Sequence, residues 1–314
     1  MAEKEMFERL FTEKTAKYLY KDVPLASYSR FRIGGPADLF FEARSAEELR
    51  LAVALASSFP FPFFVMGGGS NVLFDDSGFR GLVIKNSAER VTEEDGRLIV
   101  SSGTRIGYLV GQAFKSGRSG LEFLAGIPGT LGGSIFGNAG AFGNCIADVL
   151  KKVRVLRPGD ETFEVELNRS EIDFDYRHSR FKTRPEIITE AVLETVPGDR
   201  RESQVRISSY LESRKGKHPP WGTACAGSYF KNPLSAGDNR LYAGSLLEQA
   251  GARGTSVGGA AVYEGHCNFI INKGGATASD VLRLAEILKA RVKERFGIEL
   301  QEEVIHVRSD VREP

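Results

Sequence analysis

Residues 126–143 read Gly-Ile-Pro-Gly-Thr-Leu-Gly-Gly-Ser-Ile-Phe-Gly-Asn-Ala-Gly-Ala-Phe-Gly. Seven of these eighteen positions are glycine, and they alternate with Ile127, Leu131, Ile135 and Phe136. A flexible linker would place serines and charges there instead. Glycines set among large apolar residues mark a buried backbone so close to a flat or charged body that a Cβ would collide with it. A bound cofactor is the natural neighbour for such a segment.

Working outward, a second cluster, Met66-Gly67-Gly68-Gly69-Ser70-Asn71, follows the apolar run 61–65 and precedes Val72-Leu73-Phe74. A strand followed by a tight glycine turn lets consecutive amides form an anion-binding nest, although an ordinary tight turn reads the same way in isolation. Neither G-x-G-x-x-G nor G-x-x-x-x-G-K-[ST] occurs, so a dinucleotide bound here is held by neither the Rossmann nor the Walker geometry. The two clusters together, in a chain with 35 glycines, favour a ligand.

The chain has 314 residues, enough for two domains, and its 42 basic and 41 acidic residues leave a net charge of +1. That balance argues against nucleic acid or an acidic surface as partner. Cys145, Cys225 and Cys267 are odd in number and lack C-x-x-C spacing, which predicts no disulfide framework or zinc site and fits a reducing cytoplasm. His178, His218, His266 and His306 show no metal-ligand spacing, so no metal is expected. The first ten residues are charged throughout, unlike a signal peptide, and serines and prolines break the apolar stretch 51–66 below membrane-spanning length.

Apolar spacing predicts a leading helix over 5–20, and Ser45-Ala46-Glu47-Glu48 reads as a capping box opening a helix through Ala56. Strands are expected at 38–43, 81–85, 97–101 and 187–193, a helix at 106–115, and a hairpin of 152–156 with 163–167 around Pro158-Gly159-Asp160. The polar, turn-prone run 197–202 predicts a domain boundary, with a helix around 205–214 opening the second unit. A further helix, capped by Ser279 and stopped at Gly297, leads to a closing strand over 298–307. The division expected is a helical segment 1–24, a first domain 25–198 and a second domain 199–314.

Three constellations suit chemistry. Asp173-Phe174-Asp175-Tyr176-Arg177-His178-Ser179-Arg180 offers two arginines among aromatics, fit for bidentate contact with a carboxylate or phosphate, or else for ion pairs in a solvated loop. Gly227-Ser228-Tyr229-Phe230-Lys231-Asn232 lacks the G-x-S-x-G of a nucleophile elbow, which leaves Ser228 as a proton donor, an oxyanion ligand or a turn serine. Glu303 precedes Val304 in the expected closing strand; burial there would raise its pKa, while a solvent-facing glutamate is the alternative. His266-Cys267-Asn268 reads as structural.

Taken together, Arg32-Ile33-Gly34-Gly35-Pro36, the 67–73 and 126–141 glycine segments, Tyr176-Arg177, Ala226 to Pro233, Leu247-Glu248-Gln249-Ala250-Gly251 and Phe269-Ile270-Ile271-Asn272 resemble the UDP-N-acetylenolpyruvoylglucosamine reductase family, from about Tyr28 to Val304. The resemblance implies an α+β fold: an FAD-binding PCMH or vanillyl-alcohol-oxidase-type domain followed by an α+β substrate-binding domain. It implies noncovalent FAD, since 67–71 contains no histidine for a covalent link, and NADPH as co-substrate. The cofactor-binding residues it implies are Gly67, Gly68, Gly69, Ser70, Asn71, Gly126, Ile127, Pro128, Gly129, Thr130, Gly132, Gly133, Asn138, Ala139 and Gly140.

The implied reaction reduces an enolpyruvyl ether on a UDP-sugar to UDP-N-acetylmuramate for peptidoglycan synthesis. Arg177 matches the family arginine that polarises the substrate carboxylate, Glu303 the glutamate beside it, and Ser228 the donor that protonates the α-carbon. Donors aimed at the developing charge are worth roughly 3–4 kcal/mol each, as in oxyanion holes. Tyr176, Lys231 and Asn232 match substrate-binding positions. The closing segment reads Gln301-Glu302-Glu303 where relatives carry Leu-Glu-Pro-Glu, so Glu302 stands as an alternative to Glu303. A cytoplasmic monomer acting on a UDP-sugar enolpyruvate and NADPH is expected, with no nucleic acid or membrane partner. Another FAD oxidase or dehydrogenase of the same superfamily is the rival, separable by the oxygen reactivity of the reduced flavin. A nucleotide-binding module without chemistry is a third reading, disfavoured by the joint presence of Arg177, Ser228 and Glu303.

Overall fold

The computed structural model describes residues 2–159, 161–234 and 239–309. Asp160 of the expected hairpin turn lies outside the described residues, as do Met1, 235–238 and 310–314 within the expected domains.

In the first sheet the strands run Tyr20–Pro24, Pro36–Ala43, Phe79–Asn86, Phe63–Met66, and the inner pairings on Phe79–Asn86 are parallel. Parallel strands need a crossover, which the helix Ala46–Ser57 supplies. Period-two alternation sorts the side chains. Leu39, Phe41, Leu82 and Ile84 meet Leu49, Ala52 and Val53 of that helix and Phe7 and Phe11 of the leading helix Ala2–Thr15, while Phe40, Val83 and Phe79 meet Phe74 on the other face. A sheet covered on both faces needs such an apolar run. Ser45 accepts from the Glu48 amide at 3.1 Å, and the Glu48 carboxylate accepts from the Arg44 amide at 2.7 Å, one residue before the position a capping box would use.

The second sheet is antiparallel, in the order Phe163–Asn168, Leu150–Arg157, Ile187–Glu194, Arg97–Ser101, Val91–Glu94, and contains the expected hairpin. Helix Ile106–Lys115 buries Ile106, Leu109, Val110 and Ala113 against it. The helix expected to open the second unit, Arg200–Lys215, lies instead on this core: Ile207 and Tyr210 pack against it, and Arg206 and Ser203 hydrogen-bond to buried Glu122 at 2.8 and 2.7 Å. Its polar sequence hides this, because Ile207, Tyr210 and a hydrogen-bond network make the attachment in place of a continuous apolar stripe.

Burial alone would raise the Glu122 carboxyl, but the Arg206 and Ser203 hydrogen bonds outweigh it and bring the pKa to about 2. A depressed carboxyl stabilises the fold above its unfolded pKa and loses that contribution as pH falls through the folded value. Glu122→Gln is therefore expected to cost about 2 kcal/mol at pH 7. The deficit should shrink as pH falls from about 4.5 towards about 2, which thermal melts across that window would read. A constant deficit at all pH values would contradict it.

The third sheet, Cys225–Ser228, Phe269–Asn272, Ala260–Val262, Ser256–Val257, is antiparallel and packs on helices Ala243–Gln249 and Ala278–Phe296. Val281, Leu284, Ala285, Leu288 and Val292 are fully buried along one face of the longer helix, and Gly297 stops it at φ 69°. Its cap is Thr277, not the expected Ser279: Thr277 and Asp280 exchange side-chain to backbone bonds, and Asp76 of the first unit accepts from the amides of Ala278 and Ser279.

The expected strand over 298–307 is also shorter, Ile305–Val307, pairing in parallel with Val72–Phe74. Residues 301–303 bond to the 229–231 segment instead, so the chain changes partner midway and no single ladder forms. Phe31, Ile33 and Leu73 join the core of the third sheet, which makes the junction between the units continuous with that core.

Candidate active site

The two glycine loops lie against each other. A Cβ on Gly67 would stand 2.2 Å from Thr130 Oγ1, and one on Gly68 would stand 3.0 Å from Gly129 Cα. Ser70 Oγ donates to the Pro128 carbonyl at 3.2 Å. Part of the glycine requirement thus comes from loop meeting loop, a cause invisible while the clusters were read separately. Gly69 has φ 59° and a would-be Cβ 2.0 Å from the Tyr28 carbonyl, so no other residue fits there.

Among the described residues, none accepts a hydrogen bond from the amides of Gly67, Gly68, Gly69, Ser70 or Asn71. Five consecutive amides without an acceptor among the described residues stand beside an exposed Gly68, a geometry open to an anion. In the second loop Thr130 caps the short helix Leu131–Phe136, and Gly132 donates to the Ser102 carbonyl at 2.8 Å. Ile127 donates to Leu124 and Ala139 to Ser134, while Gly133 stays exposed.

Arg214, which sequence reasoning passed over, crosses above Gly126, where a Cβ would meet its Cδ at 2.9 Å. Its Nε donates to the Ala125 carbonyl at 3.0 Å, and its Nη2 is buried with no partner among the described residues. A flavin nucleotide, with its diphosphate and its carbonyl-edged ring, matches this set of free amides and an unpaired guanidinium N–H.

The segment around Arg177 is laced to the glycine loop. Asn138 Nδ2 donates to the Asp175 carbonyl at 2.9 Å and Ser179 Oγ to the Phe136 carbonyl at 2.7 Å. The Asn138 side chain is thereby used in scaffolding. Arg177 takes φ 53°, and its guanidinium reaches towards the Asn138 and Gly140 carbonyls, both at 3.4 Å. The two arginines of this stretch part company. Arg180 is buried in an ion pair with Glu186 at 2.8 Å, so the ion-pair alternative holds for it, whereas Arg177 faces Glu303.

Arg177 Nε lies 2.7 Å from Glu303 Oε1 without an aligned hydrogen bond, a contact of charge that leaves the Nε proton unused. Glu303 arrives there because its segment is pinned from both sides. Its amide donates to the Tyr229 carbonyl at 2.8 Å, its carbonyl accepts from Asn71 Nδ2 at 3.1 Å, and the Ile305 amide donates to Asn71. Asn71 therefore spends its side chain on the Glu303 segment. In an extended segment neighbouring side chains point to opposite faces, and Glu302 indeed sits 3.4 Å from Lys289 on the long helix.

Ser228 is half-buried at the end of its strand, paired with Phe269, and is followed by the Tyr229 carbonyl that binds Glu303. Asn268, from the stretch read as structural, holds this strand end: its side chain accepts from the Phe230 amide and donates to the Phe230 carbonyl, each at 2.9 Å. Tyr176 Oη accepts from the Asn232 amide at 3.2 Å, and the Arg240 guanidinium covers the Tyr176 ring at 3.5 Å. Burial drives the Glu303 carboxyl above the ordinary range against the pull of Arg177, Lys182 and Lys231, and burial with Lys231 drives the Lys182 ammonium down. Lys182 was not singled out in the sequence.

This is a flavoprotein built from an FAD-binding domain and a second α+β domain. Residues 37–166 match the FAD binding domain family, and residues 219–307 match the C-terminal domain of UDP-N-acetylenolpyruvoylglucosamine reductase. The chain belongs to the UDP-N-acetylenolpyruvoylglucosamine reductase family: it is 41% identical to that enzyme of Moorella thermoacetica over 90% of each chain. It is 39% identical to the Geotalea uraniireducens enzyme over 90% of this chain and 91% of that one. The crystal structure of the Thermus caldophilus enzyme superposes with a TM-score of 0.76 at 32% identity, covering 92% of this chain and 99% of that one.

Proposed function

We propose that this protein reduces the enolpyruvyl ether of a UDP-N-acetylglucosamine to UDP-N-acetylmuramate, as a step in making peptidoglycan precursors. The observation that carries this reading is the 2.7 Å contact of Arg177 with the Glu303 carboxyl, held between the glycine loop and the strand end that bears Ser228. Bound FAD would supply the hydride for the β-carbon of the substrate double bond, with NADPH as the reductant. Residues 67–71, 126–133 and Arg214 would hold the FAD, noncovalently, since no histidine stands in 67–71.

Arg177 binds the substrate carboxylate with its planar fork and meets the negative charge that spreads onto that carboxylate as the β-carbon gains its hydride. Glu303, its carboxyl raised by burial, donates a hydrogen bond to the same charge in its protonated form. Ser228 Oγ gives its proton to the α-carbon and recovers one from solvent, which completes the addition of two hydrogens across the double bond. The hydroxyl is a weak acid, but the α-carbon it faces is strongly basic and held close. Tyr176, Lys231 and Asn232 bind the diphosphate of the UDP group. We read the enzyme as a cytoplasmic monomer.

Anaerobic flavin absorbance tests the reading. NADPH should bleach the purified yellow protein and the enolpyruvyl UDP-sugar should restore the colour. A protein that stays bleached until oxygen is admitted would assign it another acceptor, and a chain that takes up no FAD would end the flavoenzyme reading.

A further inference from the structure

Lys182 ends the short turn Arg180–Lys182, outside the Tyr176-Arg177 motif, and its long side chain folds back into the site. Its ammonium donates to the Arg177 carbonyl at 2.8 Å and lies 5.7 Å from the centre of the Phe136 ring. Its side chain is half-buried, and among the described residues no carboxylate is bonded to it. A buried ammonium that spends a hydrogen bond on one backbone carbonyl is costly unless its charge serves something nearby. Arg177 is the residue whose carbonyl it holds, and Arg177 stands in the left-handed region, where a side chain is strained and needs its surroundings to keep it.

We propose that Lys182 is a positioning residue for this reaction: it fixes the Arg177 turn and, with Arg177 and Lys231, forms a trio of cations around the Glu303 carboxyl, setting the pH range of substrate reduction. The inference rests on the role given to Glu303 above. The charged groups that act on Glu303 come from two elements: Arg177 and Lys182 from the 175–182 turn, and Lys231 from the segment after Ser228. Glu302 and Lys289 pair on the opposite face, and Arg214 acts on Arg177 from above Gly126. Sequence pattern hides Lys182, because five residues separate it from the carbonyl it holds and only the tight turn brings them together.

The test uses Lys182→Gln, which keeps a donor for the Arg177 carbonyl but removes the charge, and Lys182→Arg, which keeps the charge. The readout is the second-order rate of re-oxidation of NADPH-reduced enzyme by the enolpyruvyl UDP-sugar, followed against pH. A neighbouring cation lowers a carboxyl pKa, so its loss raises it; the limb belonging to Glu303 should move up by about one pH unit or more in Lys182→Gln. Lys182→Arg should return the limb to its wild-type position, which a merely structural lysine would not require. Lys182→Met gives the same comparison should the glutamine variant fail to fold. Glu303→Gln separates the two layers. If the limb persists in it, the role assigned to Glu303 falls; if it vanishes there but stays unmoved in both neutral Lys182 variants, the inference about Lys182 is overturned.

Discussion

Ser228→Ala is expected to leave the flavin fully reducible by NADPH while slowing its re-oxidation by the enolpyruvyl sugar about 1000-fold, the middle of the range for a lost general acid. The change removes one oxygen from a half-buried residue whose strand is held by other groups. The pairing of Ser228 with Phe269 is through backbone, and Asn268 clamps Phe230 next door. A loss of rate therefore reports on proton delivery rather than on the fold. Stopped-flow traces of the two half-reactions check this, and the same experiment in D₂O should place deuterium at the product α-carbon in the wild type. Equal re-oxidation rates in wild type and variant would remove Ser228 from the mechanism.

Arg177→Met is expected to lower re-oxidation by about 100- to 1000-fold, the usual loss for one preorganised donor at a developing oxyanion. Here the variant does more than delete a donor. Glu303 loses the nearest of the cations that offset its burial, so its carboxyl rises further and becomes a neutral acid over a wider pH range. The rate should be low at every pH, with the surviving activity extending to higher pH than in the wild type. Arg177→Lys should recover little, because a point ammonium cannot reproduce a planar fork. Steady-state assays across pH decide it: a variant with wild-type kcat and only a raised KM would reduce Arg177 to a binding residue.

Much of this site is written in local chemistry. The glycine segments are legible because a turn like that of Gly69, with its positive φ and the Tyr28 carbonyl against it, admits nothing else, and the helix Ile106–Lys115 follows from its apolar spacing. What stays hidden depends on partners far away in the chain. Nothing near Glu302 and Glu303 tells which faces Arg177, because the answer is set by bonds to Tyr229 and Asn71, on two different units. The shared core of Phe31, Ile33 and Leu73 with the third sheet is equally silent, since an apolar residue does not name its neighbour. Arg214 and Lys182 carry no local signal, because a helix and a turn fold them inward. Thr277 is the cap because its hydroxyl accepts from the Asp280 amide, and Asp76, two hundred residues earlier, satisfies the amides of Ala278 and Ser279.

The Asn71 to Glu303 bond joins residues 232 positions apart. A ribosome adding about 5–20 residues per second needs roughly 10–50 s to cover that distance after delivering the glycine turn. Throughout that interval the nascent first unit carries a half-walled cradle, its free amides and apolar Phe31 and Leu73 lacking their cover. Cover for these groups therefore arrives only with the segment that bears Glu303, and their exposure is concentrated in the time before it.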